Sequence, residues 1–195
     1  MDPRVTEFQC IMPIGNVPSV MEHGILSYER AAALDHHSVA MPEIQERRDQ
    51  KQVPGGLRLH QYANLYFHAR NPMMYKRKEE VDQLCVLRVS TEVRHEDGAV
   101  FTDQNASSGY VRFLHPSQWK LLDYDAIYAM NWTHPGDPPA FYRHRSIKCA
   151  EVLVPHRVGV ARLLGAHVVD EAAAGRMGVT GFRLPVSITS ELFFR

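Results

Sequence analysis

The sequence predicts an α+β fold built as one domain over residues 1–195. Three observations lead there. Short apolar runs with strand character are interleaved with short amphipathic stretches. The strands and helices do not recur at the roughly 30-residue spacing of βαβ units, so a doubly wound parallel sheet is not expected. Hydrophobic residues make up 45% of the chain, enough for a single sizeable core.

Phe8 to Ile14 reads as a strand that runs into a Pro-Ile-Gly turn. Asn16 is a suitable N-cap for a helix carrying Pro18 in its first turn, and Gly24 a natural stop. Tyr28 to Leu34 is helix-compatible, Ser38 to Met41 suggests a short extended piece, and the charged stretch Pro42 to Gln50 reads as a helix broken by Pro54-Gly55-Gly56. Leu59 to Phe67 suggests a strand and Asn71-Pro72 a turn. Leu84 to Ser90 carries the clearest strand pattern. Asp97-Gly98 is a turn and Ala99 to Thr102 a short strand. Asp103 to Gly109 reads as a flexible polar loop, Leu121 to Ala129 as helical, and His134 to Pro139 as irregular. Glu151 to Val154 is a buried strand, Val158 to Leu164 fits either helix or strand, and Val179 to Val186 and Leu192 to Phe194 add late strand or docking signals.

Lys+Arg and Asp+Glu balance at 22 each, which argues against a generic polycation but leaves room for a local basic groove. The three cysteines (Cys10, Cys85, Cys149) are odd in number, lack C-x-x-C spacing and sit in or beside apolar runs. Buried free thiols and a cytoplasmic location are expected. Eleven histidines are scattered without a metal-binding spacing, so no metal is expected. The start of the chain carries no long apolar segment, so neither a signal peptide nor a membrane partner is expected. P-loop, G-x-G-x-x-G and G-x-S-x-G patterns are missing.

The residue that stands out is Glu151, at the head of Glu151-Val152-Leu153-Val154 and just after the basic stretch Tyr142 to Lys148. A carboxylate beside a buried β-branched run is costly unless it has a partner or a task. Taken alone, it also suits a strand end facing solvent or paired with Lys148. Three further polar-aromatic segments accompany it: Ile44 to Arg48, His60 to Arg77, and Phe101 to Ala106. In the second, Tyr62, Tyr66, Phe67 and Tyr75 interleave with His68, Arg70, Lys76 and Arg77, a pattern that suits stacking on bases and contact with phosphates. It also suits a strand with core aromatics followed by a solvated basic face.

The order of these segments, with the opening Met12 to Ser27, resembles the DarT family of DNA ADP-ribosyltransferase toxins. The resemblance covers residues 8–155 at least. It implies a split antiparallel β-sandwich around an NAD cleft, with peripheral helices. It also implies transfer of ADP-ribose from NAD to a base of single-stranded DNA, thymine or guanine with a lean to thymine, and release of nicotinamide. Under it Glu151 is the catalytic carboxylate and Arg48 the key arginine, one residue from Arg47. Cys10, Ile11, Met12, Ser19, Ser27 and Arg48 would hold NAD, with Cys10 where many members have a histidine. Tyr66, Arg70, Tyr75, Lys76, Arg77 and Asn105 would meet DNA, Asn105 in a loop that helps choose the base. A macrodomain antitoxin is the implied protein partner. The stretch from Asp103 to Ser146 would be a lid between the NAD and DNA sites or a packed connection with its own helix. Without the resemblance, Arg48 fits a surface ion pair with Glu43 or Glu46. Transfer to RNA or protein, a catalytically silent nucleic-acid module, and a phosphotransferase acting through an NAD-like cleft are the rival readings.

Overall fold

The computed structural model describes residues 1–38 and 41–195. The middle two residues of the extended piece expected at 38–41 therefore lie outside the described residues.

Strand β1 (Phe8–Pro13) is buried along nearly its whole length, which explains its continuous apolar run. Helix α1 (Val17–His23) follows a single 3-10 turn. Asn16 does not cap it with its side chain, contrary to the sequence expectation. Its amide instead brackets the backbone of His37, donating to the carbonyl at 2.7 Å and accepting from the N–H at 3.1 Å. Gly24 ends the helix at φ 82°, where a Cβ would lie 2.2 Å from the Val158 carbonyl oxygen. That close approach lets β2 (Ile25–Leu26) pair antiparallel with β8 (Arg157–Val158).

Next come α2 (Tyr28–Ala31), α3 (Pro42–Asp49) and β3 (Tyr62–Tyr66), the last preceded by a 3-10 turn where the sequence had suggested strand. Helix α4 (Pro72–Lys76) starts at Asn71, whose Oδ1 accepts from Met73 and Met74 N–H. Strand β4 (Leu84–Val89) matches the clearest sequence pattern. β5 (Val100–Thr102), β6 (Phe113–Leu114) and α5 (Tyr124–Tyr128) precede α6 (Pro138–Ile147). The irregular loop expected over His134–Pro139 becomes, from Pro138, the first turn of α6. Proline is tolerated there, and Asp137 Oδ1 accepts from Ala140 N–H at 3.0 Å. β7 (Glu151–Pro155) is buried as expected. β9 (Leu163–Val168), α7 (Glu171–Val179) and β10 (Val186–Ile188) complete the chain.

Eight strands form one sheet in the order β10-β9-β4-β1-β3-β7-β5-β6, antiparallel except for the β9–β10 pair. The sheet is joined loosely at its middle. β1 pairs with β4 over six residues but with β3 only at Gln9–Tyr66. Beyond that point the two half-sheets part, and the edge of Cys10 to Met12 runs along a cleft instead of along a strand. Below the join, Phe8, Phe67 and Phe101 pack edge to face at 5.1–5.8 Å between ring centres and bind the halves together.

Candidate active site

The parting of β1 and β3 opens a cleft of about 600 Å³. Cys10, Ile11 and Met12 line one wall, Asn64, Tyr66 and Glu151 the other. Glu151 is 1% exposed and lies opposite Tyr66 in the β3–β7 register. Its backbone N–H donates to Thr102 Oγ1 at 2.9 Å, which ties the head of β7 to β5. Lys148 does not pair with it. That lysine, equally buried, donates to the carbonyls of Ile127 and Ala129 at 2.7 and 2.9 Å and to His68 Nδ1 at 3.2 Å.

The partner of Glu151 is Arg48, the one buried residue of α3 and only 6% exposed. Arg48 Nη1 reaches Oε2 at 2.9 Å and Oε1 at 3.1 Å. Arg47 and Arg48 occupy the last turn of α3, where cations complement the helix dipole. Only Arg48 turns inward. Arg47 is exposed on the cleft rim and bonds the Glu43 carbonyl at 3.2 Å. A second donor reaches the carboxylate from the loop after β5: Ala106 N–H donates to Glu151 Oε1 at 2.9 Å. This stretch, expected to be flexible, is anchored. Asn105 N–H donates to the Ser146 carbonyl at 3.0 Å, and Asn105 Oδ1 accepts from the N–H and Oγ of Ser107.

Protonation states follow from burial. The Cys10 and Cys149 thiols are both pushed up to about 12, so neither offers a thiolate nucleophile to the cleft. Burial, and then the charge of Glu151, push the Tyr66 hydroxyl well above the ordinary phenol range. Tyr66 is therefore a hydrogen-bond donor here and not a base.

The expected site residues divide in two. Cys10, Ile11, Met12, Ser19, Arg48, Tyr66, Lys76, Asn105 and Glu151 all line the cleft. Ser27 does not. It is fully buried behind the wall, and its Oγ caps α2 by accepting from Arg30 N–H at 3.4 Å. Arg70 is committed elsewhere. Its Nη1 donates to the carbonyls of Glu191 and Phe193 at 2.9 and 2.6 Å, and its guanidinium stacks on Phe194 at 4.0 Å. Tyr75 packs edge-on against the same Phe194 at 5.2 Å, and Arg77 pairs with Glu80 at 3.3 Å. Neither lines the cleft. Tyr66 does so deep beside Glu151 instead of on a surface track.

The structure adds residues that sequence reading did not assign. Tyr110 and Tyr142 are 90% and 64% exposed and stand at the cleft mouth with Arg145. Tyr142 and Arg145 fell in a basic stretch already noticed; nothing in the sequence singled out Tyr110. Ala106 acts through its backbone, which a side-chain pattern cannot reveal. Among the described residues no group of His, Cys, Asp and Glu could hold a metal ion, and no helix is long and apolar enough to cross a membrane.

Comparison with known proteins bears on this arrangement. A family model described as "ssDNA thymidine ADP-ribosyltransferase, DarT" matches residues 10–194. A DNA ADP-ribosyl transferase from Thermus sp. is 32% identical over 165 residues, covering 78% of this chain and 76% of the relative. A DNA ADP-ribosyl transferase–DNA ADP-ribosyl glycohydrolase fusion protein from Thermosipho africanus is 27% identical over all of this chain, which spans only 51% of the fusion. Thermus sp. 2.9 DarT, solved in complex with ADP-ribosylated ssDNA, superposes with a TM-score of 0.85 at 26% identity, covering 98% of both chains. The same protein solved with NAD+ has the same fold (TM-score 0.81, 23% identity, full coverage of both chains). The chain belongs to the DarT family of ssDNA thymidine ADP-ribosyltransferases.

Proposed function

We propose that residues 1–195 act as one DarT-type domain that moves ADP-ribose from NAD+ to the thymine base of thymidine in single-stranded DNA. The bond from the ribose anomeric carbon to nicotinamide breaks, a bond from that carbon to a base nitrogen forms, and the base loses a proton. The observation that carries this reading is the Glu151–Arg48 pair, buried yet opening on a cleft the size of a small-ligand site.

The lining suits a dinucleotide. Ile11, Met12, Val20 and Ile25 offer apolar walls for ring systems, and Arg47, Arg48 and Lys76 offer cations for a pyrophosphate. Departure of nicotinamide leaves cationic, oxocarbenium-like character on the ribose. Glu151, oriented by Arg48 and the Ala106 N–H, faces that charge from a rigid strand end and accepts from a ribose hydroxyl. Arg48 has no lone pair with which to take a proton. Its part is to orient Glu151 and to stabilise the base as it loses its own proton. Asn105 and Ser107 reach the cleft from the anchored loop and are placed to read the base. The exposed rings of Tyr110 and Tyr142, with Arg145, offer stacking and phosphate contacts at the mouth. Chemistry on a pairing edge requires an exposed base, which accords with a single-stranded acceptor.

Such an activity makes the protein a toxin in a cell that cannot reverse it, acting on cytoplasmic DNA. A separate macrodomain-type ADP-ribosyl glycohydrolase is the antitoxin we infer as partner. The Thermosipho africanus relative carries a glycohydrolase in the same chain.

Mass analysis of single-stranded oligonucleotides after incubation with NAD+ tests the reading. One ADP-ribose should appear on thymidine-containing oligonucleotides and none on thymidine-free ones, RNA or protein. Label on protein alone would overturn it.

A further inference from the structure

Lys51 follows α3 by two residues, and it does not line the cleft. Its ammonium nevertheless reaches the loop that lies over Glu151. Nζ donates to the Ser108 carbonyl and, at 3.5 Å, to the Ala106 carbonyl. Burial and then the nearby Arg47 lower its pKa from the ordinary lysine value, consistent with a group drawn out of water.

The spacing matters. Arg48 and Lys51 lie three residues apart, and Lys51 N–H donates to the Arg48 carbonyl at 3.1 Å, so they turn as one unit. Arg48 grips the Glu151 carboxylate directly. Lys51 grips the two carbonyls that flank Ser107, and the peptide just before them supplies the Ala106 N–H to Glu151 Oε1. Both donors to the carboxylate are thereby referred to the end of one helix.

We propose that Lys51 is a positioning residue for the transfer reaction. It acts by fixing the 105–108 loop so that the Ala106 N–H stays on Glu151 and Asn105 and Ser107 stay at the cleft wall. This rests on the assignment of Glu151 and extends it to a residue that touches neither substrate. Other cations near the site do different things: Arg47 and Arg145 reach the cleft itself, and Lys148 holds the 127–129 carbonyls.

The test uses Lys51→Met, which keeps most of the side-chain volume, and Lys51→Arg, which keeps the charge. In Lys51→Met, kcat should fall about tenfold or more, as expected when a preorganised donor loosens. KM for NAD+ should stay within about twofold, because Lys51 does not contact the cleft. Lys51→Arg should recover a large part of the loss. Hydrogen exchange at the Ala106 amide gives a readout that needs no activity. Protection at that amide should drop in Lys51→Met while protection in β4 and β7 is retained. Unchanged kcat together with unchanged Ala106 protection would overturn the proposal. A rise in KM for DNA at constant kcat would also overturn it, by making Lys51 a substrate contact. If the wild-type protein transferred nothing while the exchange result held, the proposed function would fail and the role of Lys51 in the loop would stand.

Discussion

Two glutamates stand at the heads of buried strands, and they differ in what they face. Glu7 precedes β1, is 8% exposed, and accepts three hydrogen bonds: Arg88 Nε donates at 2.6 Å, and His167 Nε2 and Gln9 Nε2 each at 3.0 Å. Gln9 passes the network on by accepting from Ala69 N–H at 2.7 Å, and Thr189 Oγ1 closes it at 2.8 Å from His167 Nδ1. None of these side chains borders the cleft. Glu151 is buried more deeply and also accepts three hydrogen bonds, two of them from the single Arg48 Nη1, but it borders about 600 Å³ of open space. Burial and pairing alone therefore do not mark a reactive carboxylate. What separates the two is that one carboxylate faces a cavity and the other does not, and tertiary geometry alone supplies that. Glu7 braces the join of the half-sheets; Glu151 stands where they part.

The largest expected effect breaks the comparison on the Glu151 side. Glu151→Gln keeps shape and removes charge, and transfer per folded molecule should fall by about 10²–10³-fold. The same change at Glu7 should leave turnover per folded molecule unaltered while lowering unfolding stability by on the order of 1–3 kcal/mol, read by urea melts. Next comes the cation. Arg48→Ala strands a buried carboxylate and should cost about 3–5 kcal/mol in stability as well as activity. Arg48→Lys should be milder, since one nitrogen, Nη1, makes both contacts.

The acid limb of stability sharpens the contrast. Burial alone would raise the Glu7 carboxyl, but hydrogen bonds from His167, Gln9 and Arg88 overcome it and lower it to about 2 from an ordinary 4.5. A carboxyl depressed on folding contributes stability above its unfolded pKa and loses it as pH falls through the folded one. The contribution should therefore fade between pH 4.5 and 2, and Glu7→Gln should flatten that part of the stability curve. The smallest effect is expected at Cys10. Its thiol stays protonated, and Cys10→Ala should change kcat by less than about threefold in the nucleotide-transfer assay.

Much of the frame was legible in the sequence because it rests on local rules. β1, β4 and β7 are apolar runs buried along most of their length, and α1 and α3 carry proline near the start and, for α1, glycine at the stop. Glu151 and Arg48 were each singled out through family resemblance; that they pair is seen only in the structure, since they lie 103 residues apart and no spacing rule links them. What escaped was set by tertiary context. β9 was read only at its first residues because Gly165 and His167 interrupt its apolar pattern. α6 was hidden behind two prolines that in fact sit at its start. Arg70 looked like a phosphate contact but meets the C-terminal carbonyls, whose position no local pattern encodes. Ala106 bonds through its backbone N–H and the Lys51 ammonium meets only backbone carbonyls, so no side-chain pattern marked either.

The most direct measurement is a side-by-side assay of Glu151→Gln and Glu7→Gln on a thymidine-bearing single-stranded oligonucleotide with NAD+, with adduct normalised to folded protein. Adduct should vanish with the first variant and persist at the wild-type level with the second. Equal loss in both, or persistence in Glu151→Gln, would contradict the assignment of the chemistry to the carboxylate that faces the cleft.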